Sequence, residues 1–298
     1  MQTPIAVLIT LMLLNLIAVP IALAQGAPRI LFYSRSEGFE HSPVVMKDGK
    51  PSVAEKVLSD LASQNGAPFT ATKDGTKITA ENLKNFDLVI FYTQGDLTKP
   101  TSKDGAPPLG PKGEADLVEW VKNGGRFMGF HSASDTFHTP PSGEVTPYLK
   151  MLGAEFSGHG PQFEGTVKVV DPTHPTMANI PKDWKLLEEW YMFKNFNKET
   201  MHVLALLDPG PARAKVKDYN IPDYPIIWCG KFGNGKVYFS ALGHRDEIWQ
   251  DPIFQSSIVD AGTWLQEEGT EGTEPNFDKV VPKEKPAEKA VEKPAEKK

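Results

Sequence analysis

Cysteine is almost absent from this sequence, because Cys229 is the only one in 298 residues. A single cysteine cannot form a disulfide within the chain, so the core must be stable without covalent cross-links. Cys229 ends the apolar run at residues 225–229. That position is typical of a small buried hydrophobic residue rather than of a reactive thiol.

Several sequence signatures of common chemistries are also missing. The chain has no Gly-x-x-x-x-Gly-Lys-Ser phosphate loop, no Gly-x-Gly-x-x-Gly dinucleotide fingerprint and no Gly-x-Ser-x-Gly nucleophile elbow. The first two motifs bring the backbone close to phosphate groups, and the third exposes a serine nucleophile on a sharp turn. We therefore expect no nucleotide cofactor.

Positive charge is scarce outside the C-terminus. The formal net charge is −6, and the segment from Lys279 onward carries seven lysines and four glutamates, so the preceding part carries −9. Nucleic-acid binding depends on basic side chains that neutralise phosphates. The charge distribution therefore predicts no nucleic-acid partner.

The N-terminus has the composition of an export signal. Residues 5–23 are almost wholly apolar, and Ala22 and Ala24 supply the small side chains of a cleavage site. We predict a signal peptide at residues 1–24 and an exported protein, periplasmic or secreted. The alternative is an uncleaved anchor, because the stretch is nearly long enough to span a bilayer. No second apolar stretch has that length, so cleavage would leave no membrane span.

The C-terminal segment has no apolar face to bury. Residues 267–276 are acidic and rich in Gly and Thr, and the motif Lys-Pro-Ala-Glu then occurs twice. Such a composition is typical of disordered chains. We therefore place the folded domain at residues 28–266 and predict a disordered tail at residues 267–298.

Between these ends, apolar runs alternate with helical patterns. Buried strands are predicted at residues 29–34, 86–93 and 126–130, and helices at residues 52–64, 113–123 and 252–265. The second half is richer in strands and contains a hairpin signal, Gly-Asn-Gly at 233–235. This order predicts an α/β fold with a mostly parallel sheet and helices on both faces. Sheets of this kind bind ligands beyond the carboxyl ends of their strands.

Histidines are concentrated at those strand ends. Five of the seven fall at predicted strand ends or in loops, namely His41, His131, His138, His159 and His244. Imidazoles beside carboxylates such as Glu188 and Glu189 can bind Zn²⁺ or a similar divalent metal, and they can also perform acid–base catalysis near neutral pH. No His-x-x-x-His or Cys-x-x-Cys motif is present, so the metal prediction depends on several loops converging at one edge of the sheet.

The order of these motifs resembles the ThuA-like family. The segment Met128-Gly-Phe-His-Ser-Ala133 occupies the strand-to-helix turn where class I glutamine amidotransferases carry Gly-x-Cys-x-Gly, and His131 stands at the cysteine position. The resemblance also rests on Gly38-Phe-Glu-His41, Gly158-His159, Glu188-Glu-Trp-Tyr191 and the apolar run that ends at His244. It covers about residues 29–265.

The resemblance implies a flavodoxin-like fold of the class I glutamine amidotransferase type. Glutaminase activity should be lost, because that chemistry needs the thiolate that His131 replaces. The family is linked to the use of trehalose, related disaccharides and keto-sugars. The expected partner is therefore a small-molecule saccharide.

From these observations we expect a saccharide-directed enzyme. Its predicted catalytic residues are His131, Glu189 and His244. A divalent metal such as zinc, held by His41, His131, His159 and His244, would polarise a carbonyl or activate water. The predicted substrate contacts are Tyr191, Trp190, Ser132 and Asp135. Trp228 and Trp249 are further candidates for a face on which a sugar ring stacks.

Two alternatives stay open. In the first, Ser132 is a nucleophile, His244 is its base, and Asp246 or Glu247 orients the imidazole. In the second, the chain is a non-catalytic saccharide-binding or scaffold protein that keeps an enzyme fold. The sequence leaves the oligomeric state open.

Overall fold

The computed structural model describes residues 26–283. The predicted signal peptide and the part of the predicted tail from residue 284 onward lie outside the described residues. Between residues 26 and 283, no helix combines the length and the apolar character needed to cross a membrane.

Strands and helices alternate in the first half, and strands dominate the second half. The strands are β1 Ile30–Tyr33, β2 Phe69–Thr72, β3 Leu88–Phe91, β4 Arg126–Phe130, β5 Glu155–His159, β6 Phe163–Val169, β7 Lys185–Glu188, β8 Tyr191–Lys194, β9 Met201–Asp208, β10 Tyr224–Phe232 and β11 Gly235–Ser240. The α-helices are α1 Val53–Gln64, α2 Ala80–Leu83, α3 Gly113–Lys122, α4 Pro147–Leu152, α5 Ala212–Lys215, α6 Asp246–Gln250, α7 Pro252–Gln266 and α8 Phe277–Val280. A five-residue 3-10 helix, His131–Asp135, directly follows β4.

Nine of these strands form one sheet in the order β2-β1-β3-β4-β11-β10-β9-β6-β7. Neighbours from β2 to β11 are parallel, and neighbours from β11 to β7 are antiparallel. The predicted α/β fold is confirmed. The strands of the first half form the parallel part together with β11, and the other strands of the second half supply the antiparallel part.

The strand order reverses direction between β1 and β3. β2 lies on one side of β1, whereas β3 and β4 lie on the other. Right-handed crossovers therefore place α1, which joins β1 to β2, and α3, which joins β3 to β4, on opposite faces of the sheet. The start of α1 agrees with the sequence, since Ser52 Oγ accepts a hydrogen bond from the Glu55 N–H at 3.2 Å. In such sheets, ligands preferentially bind at the carboxyl edge next to the point where the strand order reverses.

The second half contains the predicted hairpin and a small sheet that was not predicted. The predicted hairpin is confirmed, because β10 and β11 pair antiparallel with Phe232 opposite Gly235. The strands β5 and β8 were missed, and they form a separate two-stranded sheet with His159 opposite Tyr191. Both strands are only partly buried, so they lack the continuous apolar signal of a core strand.

Cys229 and its neighbour Trp228 belong to the core of the sheet. Each is 1% exposed, and burial raises the pKa of the Cys229 thiol. The Trp228 indole N–H donates a hydrogen bond to the Leu152 carbonyl at 2.7 Å. The predicted buried position of Cys229 is therefore confirmed.

The folded part extends past the predicted boundary at residue 266. The Asn276 side chain accepts a hydrogen bond from the Val203 N–H at 2.7 Å and donates one to the Val203 carbonyl at 3.0 Å. Phe277 in α8 is buried. Residues 276 and 277 thus pack on the domain beyond residue 266, through one amide that binds β9 and one ring that contacts Phe196. The sequence could not indicate this packing, because the segment has no apolar periodicity.

A candidate metal centre at the carboxyl edge of the sheet

Four side chains meet where the sequence predicted a site. His41, His131, Glu189 and His244, here called the His/Glu cluster, each offer one ligand atom, and these atoms all lie within 4.8 Å of one another. His41 follows β1, His131 follows β4, Glu189 lies between β7 and β8, and His244 follows β11. The carboxyl edge of the parallel strands therefore brings three distant loops and the β7–β8 connection to one point.

His131 stands on a sharp turn at the end of β4. Its φ is 42°, a left-handed conformation that costs a non-glycine residue about 1–2 kcal/mol. The Nδ1–H donates a hydrogen bond to the Ala241 carbonyl at 2.9 Å, so the Nε2 atom carries the lone pair. That Nε2 atom lies 3.6 Å from Glu189 Oε2 and has no hydrogen-bond partner among the described residues. The turn thus aims an unprotonated nitrogen into the cluster.

Glu189 supplies the negative charge of the cluster. Its Oε2 atom lies 3.1 Å from His244 Nδ1, and its Oε1 atom lies 3.2 Å from His159 Nδ1. Burial opposes ionisation of this carboxyl, but His131 and His244 outweigh it and lower the pKa of Glu189 well below its usual range. Glu189 is therefore an anion at neutral pH.

Glu188 fixes the backbone around the cluster. Its Oε1 atom accepts hydrogen bonds from the His244 N–H at 2.9 Å and from the Glu189 N–H at 3.2 Å. The side chain is fully buried, and burial raises the pKa of Glu188 to about 8. The sequence left the separate roles of the two glutamates uncertain; in the structure Glu188 holds the chain and Glu189 faces the histidines.

His41 completes the cluster in a neutral state. Its Nε2 atom lies 3.1 Å from the Tyr191 hydroxyl, and burial together with the nearby His131 and His244 lowers the pKa of His41 to about 2. His41 Nδ1, like His131 Nε2, is buried and lacks a hydrogen-bond partner within residues 26–283. Unpaired buried nitrogens of this kind are costly, and a cation in contact with them would remove that cost.

Two distances within the cluster match the ligand spacing of a tetrahedral divalent metal. Two ligand bonds of about 2.0–2.1 Å at a tetrahedral angle place their ligand atoms about 3.3 Å apart. Glu189 Oε2 lies 3.1 Å from the nearest nitrogen of His244 and 3.6 Å from that of His131. Three neutral imidazoles and one carboxylate are also a ligand set that Zn²⁺ accepts.

His159 differs from its predicted position. The sequence placed it among the metal ligands, but it lies outside the His/Glu cluster, and Glu189 completes the group instead. His159 contacts the Glu189 oxygen that points away from His131 and His244. Its ring stacks on Tyr191 with centroids 5.8 Å apart and is partly exposed. The His159 Nδ1–H donates a hydrogen bond to the Gly160 carbonyl at 3.0 Å, so His159 flanks the carboxylate from the solvent side.

Of the predicted substrate contacts, Tyr191 touches the cluster, and Asp135 ends the 3-10 helix that begins at His131. The Tyr191 hydroxyl touches His41, and its ring lies 3.9 Å from that of His131, measured between centroids. Asp135 accepts a hydrogen bond from the Gln94 amide at 2.9 Å and lies 2.6 Å from His138 Nε2. Their roles in binding substrate stay predictions.

The predicted tryptophan stacking faces are not available to a ligand. Trp190 and Trp249 are completely buried, and Trp228 is nearly so. The Trp190 indole N–H donates a hydrogen bond to the Phe163 carbonyl at 3.0 Å, so this side chain belongs to the core. The structure therefore does not expose Trp190 as a surface for a substrate, because its indole packs in the core where the chain passes from β7 to β8.

Ser132 does not have the partner that a serine nucleophile needs. Its side chain is 1% exposed, and its Oγ atom has no hydrogen-bond partner among the described side chains and backbone. The hydrolase alternative required a direct hydrogen bond from Ser132 to His244. Its proposed orienting residue, Asp246, instead accepts a hydrogen bond from Ser42 at 3.0 Å.

The fold and the site together define an α/β protein in which His131, at the turn from β4 into the 3-10 helix, belongs to the His/Glu cluster. A sequence model described as ThuA, trehalose utilisation, matches residues 29–265. The chain belongs to this ThuA family.

Solved structures, two of them described as putative ThuA-like proteins, share the fold. One from Bacteroides uniformis has a TM-score of 0.64 at 22% identity, over 86% of this chain and 98% of that protein. Another from Parabacteroides merdae has a TM-score of 0.56 at 14% identity, over 82% and 94%. A cytoplasmic protein from Salmonella typhimurium has a TM-score of 0.53 at 14% identity, over 80% and 100%. The comparison with curated proteins gives no match. At these identities the likeness establishes the fold alone.

Proposed function

We propose that this ThuA-family protein is an exported, divalent-metal-dependent enzyme that acts on a disaccharide of the trehalose type or on a keto-sugar. The observation that carries the proposal is the His/Glu cluster, with its ligand atoms within 4.8 Å of one another and its unpaired buried nitrogens. The saccharide class is supported by the family description of trehalose utilisation. Export is supported by the predicted signal peptide at residues 1–24.

The protein prepares this centre through charge and hydrogen bonding. His41 is kept neutral by burial, and the Ala241 carbonyl fixes the tautomer of His131, so both present lone pairs. Glu188 anchors the backbone of His244, and His159 Nδ1 lies 3.2 Å from the outer oxygen of Glu189. A bound divalent cation supplies Lewis acidity, which polarises a substrate carbonyl or lowers the pKa of a bound water.

Tyr191 is buried against the cluster, and His159 lies on the solvent side of it. The Tyr191 hydroxyl has His41 Nε2 as its neighbour at 3.1 Å, and burial, with nearby Asp135 and Glu189 adding to it, raises the pKa of Tyr191 well above its usual range. The phenol therefore keeps its proton and can donate a hydrogen bond to a substrate oxygen. Because the cluster carries no cysteine or free serine nucleophile, catalysis through the cation is the chemistry that these residues favour.

The test uses the mature chain, residues 25–298, without a tag. Elemental analysis should find about one divalent metal per chain in the wild type. The variant His244→Ala should lose most of this metal. His138→Ala is the matched control, because His138 is another histidine of the same edge whose partners are Asp135 and Glu155, outside the cluster, and it should retain the metal.

Turnover should then follow the metal. The metal-loaded wild type should convert disaccharides or their keto derivatives. Chelation of the metal should abolish this activity, and adding the metal back should restore it. Turnover that survives complete removal of the metal would contradict the proposed chemistry. A metal-loaded protein that binds saccharides without converting them would support the non-catalytic alternative instead.

A further inference from the structure

An exposed aromatic ring lies beside the His/Glu cluster. Among the described residues, three large hydrophobic side chains are exposed, and Phe39 is the most exposed of them at 61%. The ring centroids of Phe39 and His41 are 4.8 Å apart and nearly perpendicular. A large apolar surface is thus held in solvent directly beside a buried polar site.

The loop that carries Phe39 is anchored on both sides of the ring. On one side, the Glu37 N–H donates a hydrogen bond to the Gln94 carbonyl at 2.8 Å. On the other side, Glu40 forms an ion pair with Lys73 at 2.6 Å, and both side chains are largely shielded from solvent. The exposure of Phe39 is therefore imposed by the fold rather than by a loose loop.

A row of polar groups continues from this loop. Gln94 Nε2 donates a hydrogen bond to Asp135 Oδ2 at 2.9 Å, and Asp135 Oδ1 lies 2.6 Å from His138 Nε2. The Gln94 Oε1 atom has no hydrogen-bond partner in the described part of the chain. That oxygen is buried, and a Cβ atom on Gly38, whose φ is 98°, would lie only 3.2 Å from it, so glycine avoids a close contact with the unpaired amide oxygen beside Phe39.

We propose that Phe39, Gln94 and Asp135 form a saccharide subsite, here called the outer subsite, which holds the sugar unit that does not face the His/Glu cluster. A pyranose ring combines an apolar C–H face with hydroxyl groups around its edge. The Phe39 ring suits the apolar face, and the amide and carboxylate suit the hydroxyl groups. The carboxylate disfavours an anionic ligand such as a sugar phosphate.

The outer subsite rests on the proposed saccharide function and makes that function more specific. Two sugar units should bind better than one, because the second unit gains contacts with Phe39 and Gln94. The probes are trehalose and glucose, and their dissociation constants are measured by calorimetry on the metal-loaded chain of residues 25–298. The variants are Phe39→Ala and Gln94→Ala. Leu187→Ala is the matched control, because Leu187 is also an exposed apolar side chain and alternates outward on β7.

Loss of an aromatic contact should weaken trehalose binding by about tenfold in Phe39→Ala, in line with the usual strength of ring contacts. Gln94→Ala should also weaken trehalose binding, while glucose affinity and metal content stay close to those of the wild type. Leu187→Ala should bind both sugars as the wild type does.

The possible failures are distinguishable. Unchanged trehalose affinity in both site variants, with clear binding by the wild type, overturns the outer subsite and leaves the saccharide function intact. Absence of any saccharide binding by the wild type overturns both. Absence of metal, with trehalose binding that still depends on Phe39, overturns the metal centre and supports the outer subsite.

Discussion

The backbone at His131 permits a quantitative test of how the fold builds its site. The φ of 42° costs a residue with a Cβ atom about 1–2 kcal/mol, whereas glycine adopts it freely. Glycine in turn costs about 0.5–1 kcal/mol relative to alanine because it gains freedom in the unfolded chain. His131→Gly should therefore be more stable than His131→Ala by about 1 kcal/mol. Both variants lose the imidazole and its hydrogen bond to Ala241, so these losses cancel in the comparison.

Urea unfolding of the metal-free variants measures this difference, which corresponds to about 2–4 °C in melting temperature for a domain of this size. Ala133→Gly is the matched control, because Ala133 lies in the same 3-10 helix without a positive φ, and glycine there should lower stability. If His131→Ala proves as stable as His131→Gly, or more stable, the left-handed turn does not store the strain that we assign to it.

Three further predictions concern the fold around the site. Trp190→Phe removes the indole hydrogen bond to Phe163 and should lower the free energy of unfolding by about 1–3 kcal/mol. Saccharide affinity should not change, and a reduced affinity would support Trp190 as a substrate contact. Phe277→Ala should lower the free energy of unfolding by about 3 kcal/mol, and an unchanged urea midpoint would mean that residues 267–283 do not stabilise the domain. Burial opposes ionisation of Glu155, but hydrogen bonds from Thr139 and Asn195 lower its pKa from 4.5 to about 2. The resulting stability is present above pH 4.5 and lost as pH falls through about 2. Melting temperatures from pH 6 to about pH 2 should therefore fall more steeply in the wild type than in Glu155→Gln, and parallel curves would contradict this assignment.

The elements of the parallel sheet could be predicted because their signals are local. The runs that became β1, β3 and β4 are continuous apolar segments, and Ser52 caps α1 as its sequence position indicates. Once parallel strands are assigned, their carboxyl ends share an edge. The meeting of His41, His131 and His244 therefore followed from topology, without any spacing motif.

The remaining features depend on contacts that sequence patterns do not encode. Glu188, Glu189 and Trp190 are consecutive, and only the turn between β7 and β8 decides which one anchors the backbone, which faces the histidines and which enters the core. Phe39 was missed for a similar reason, since a phenylalanine near a strand is typical of the core, and its exposure results from the loop anchors at Glu37 and Glu40.

The central claim is that three histidines and one glutamate bind a single divalent metal, and X-ray absorption spectroscopy of the zinc-loaded mature chain tests it most directly. We expect about four ligands, three of them imidazole nitrogens at about 2.0–2.1 Å and one a carboxylate oxygen. The imidazole contribution should fall in His244→Ala and stay unchanged in His138→Ala. A spectrum without imidazole scattering, or one that is identical in wild type and His244→Ala, would contradict the metal centre.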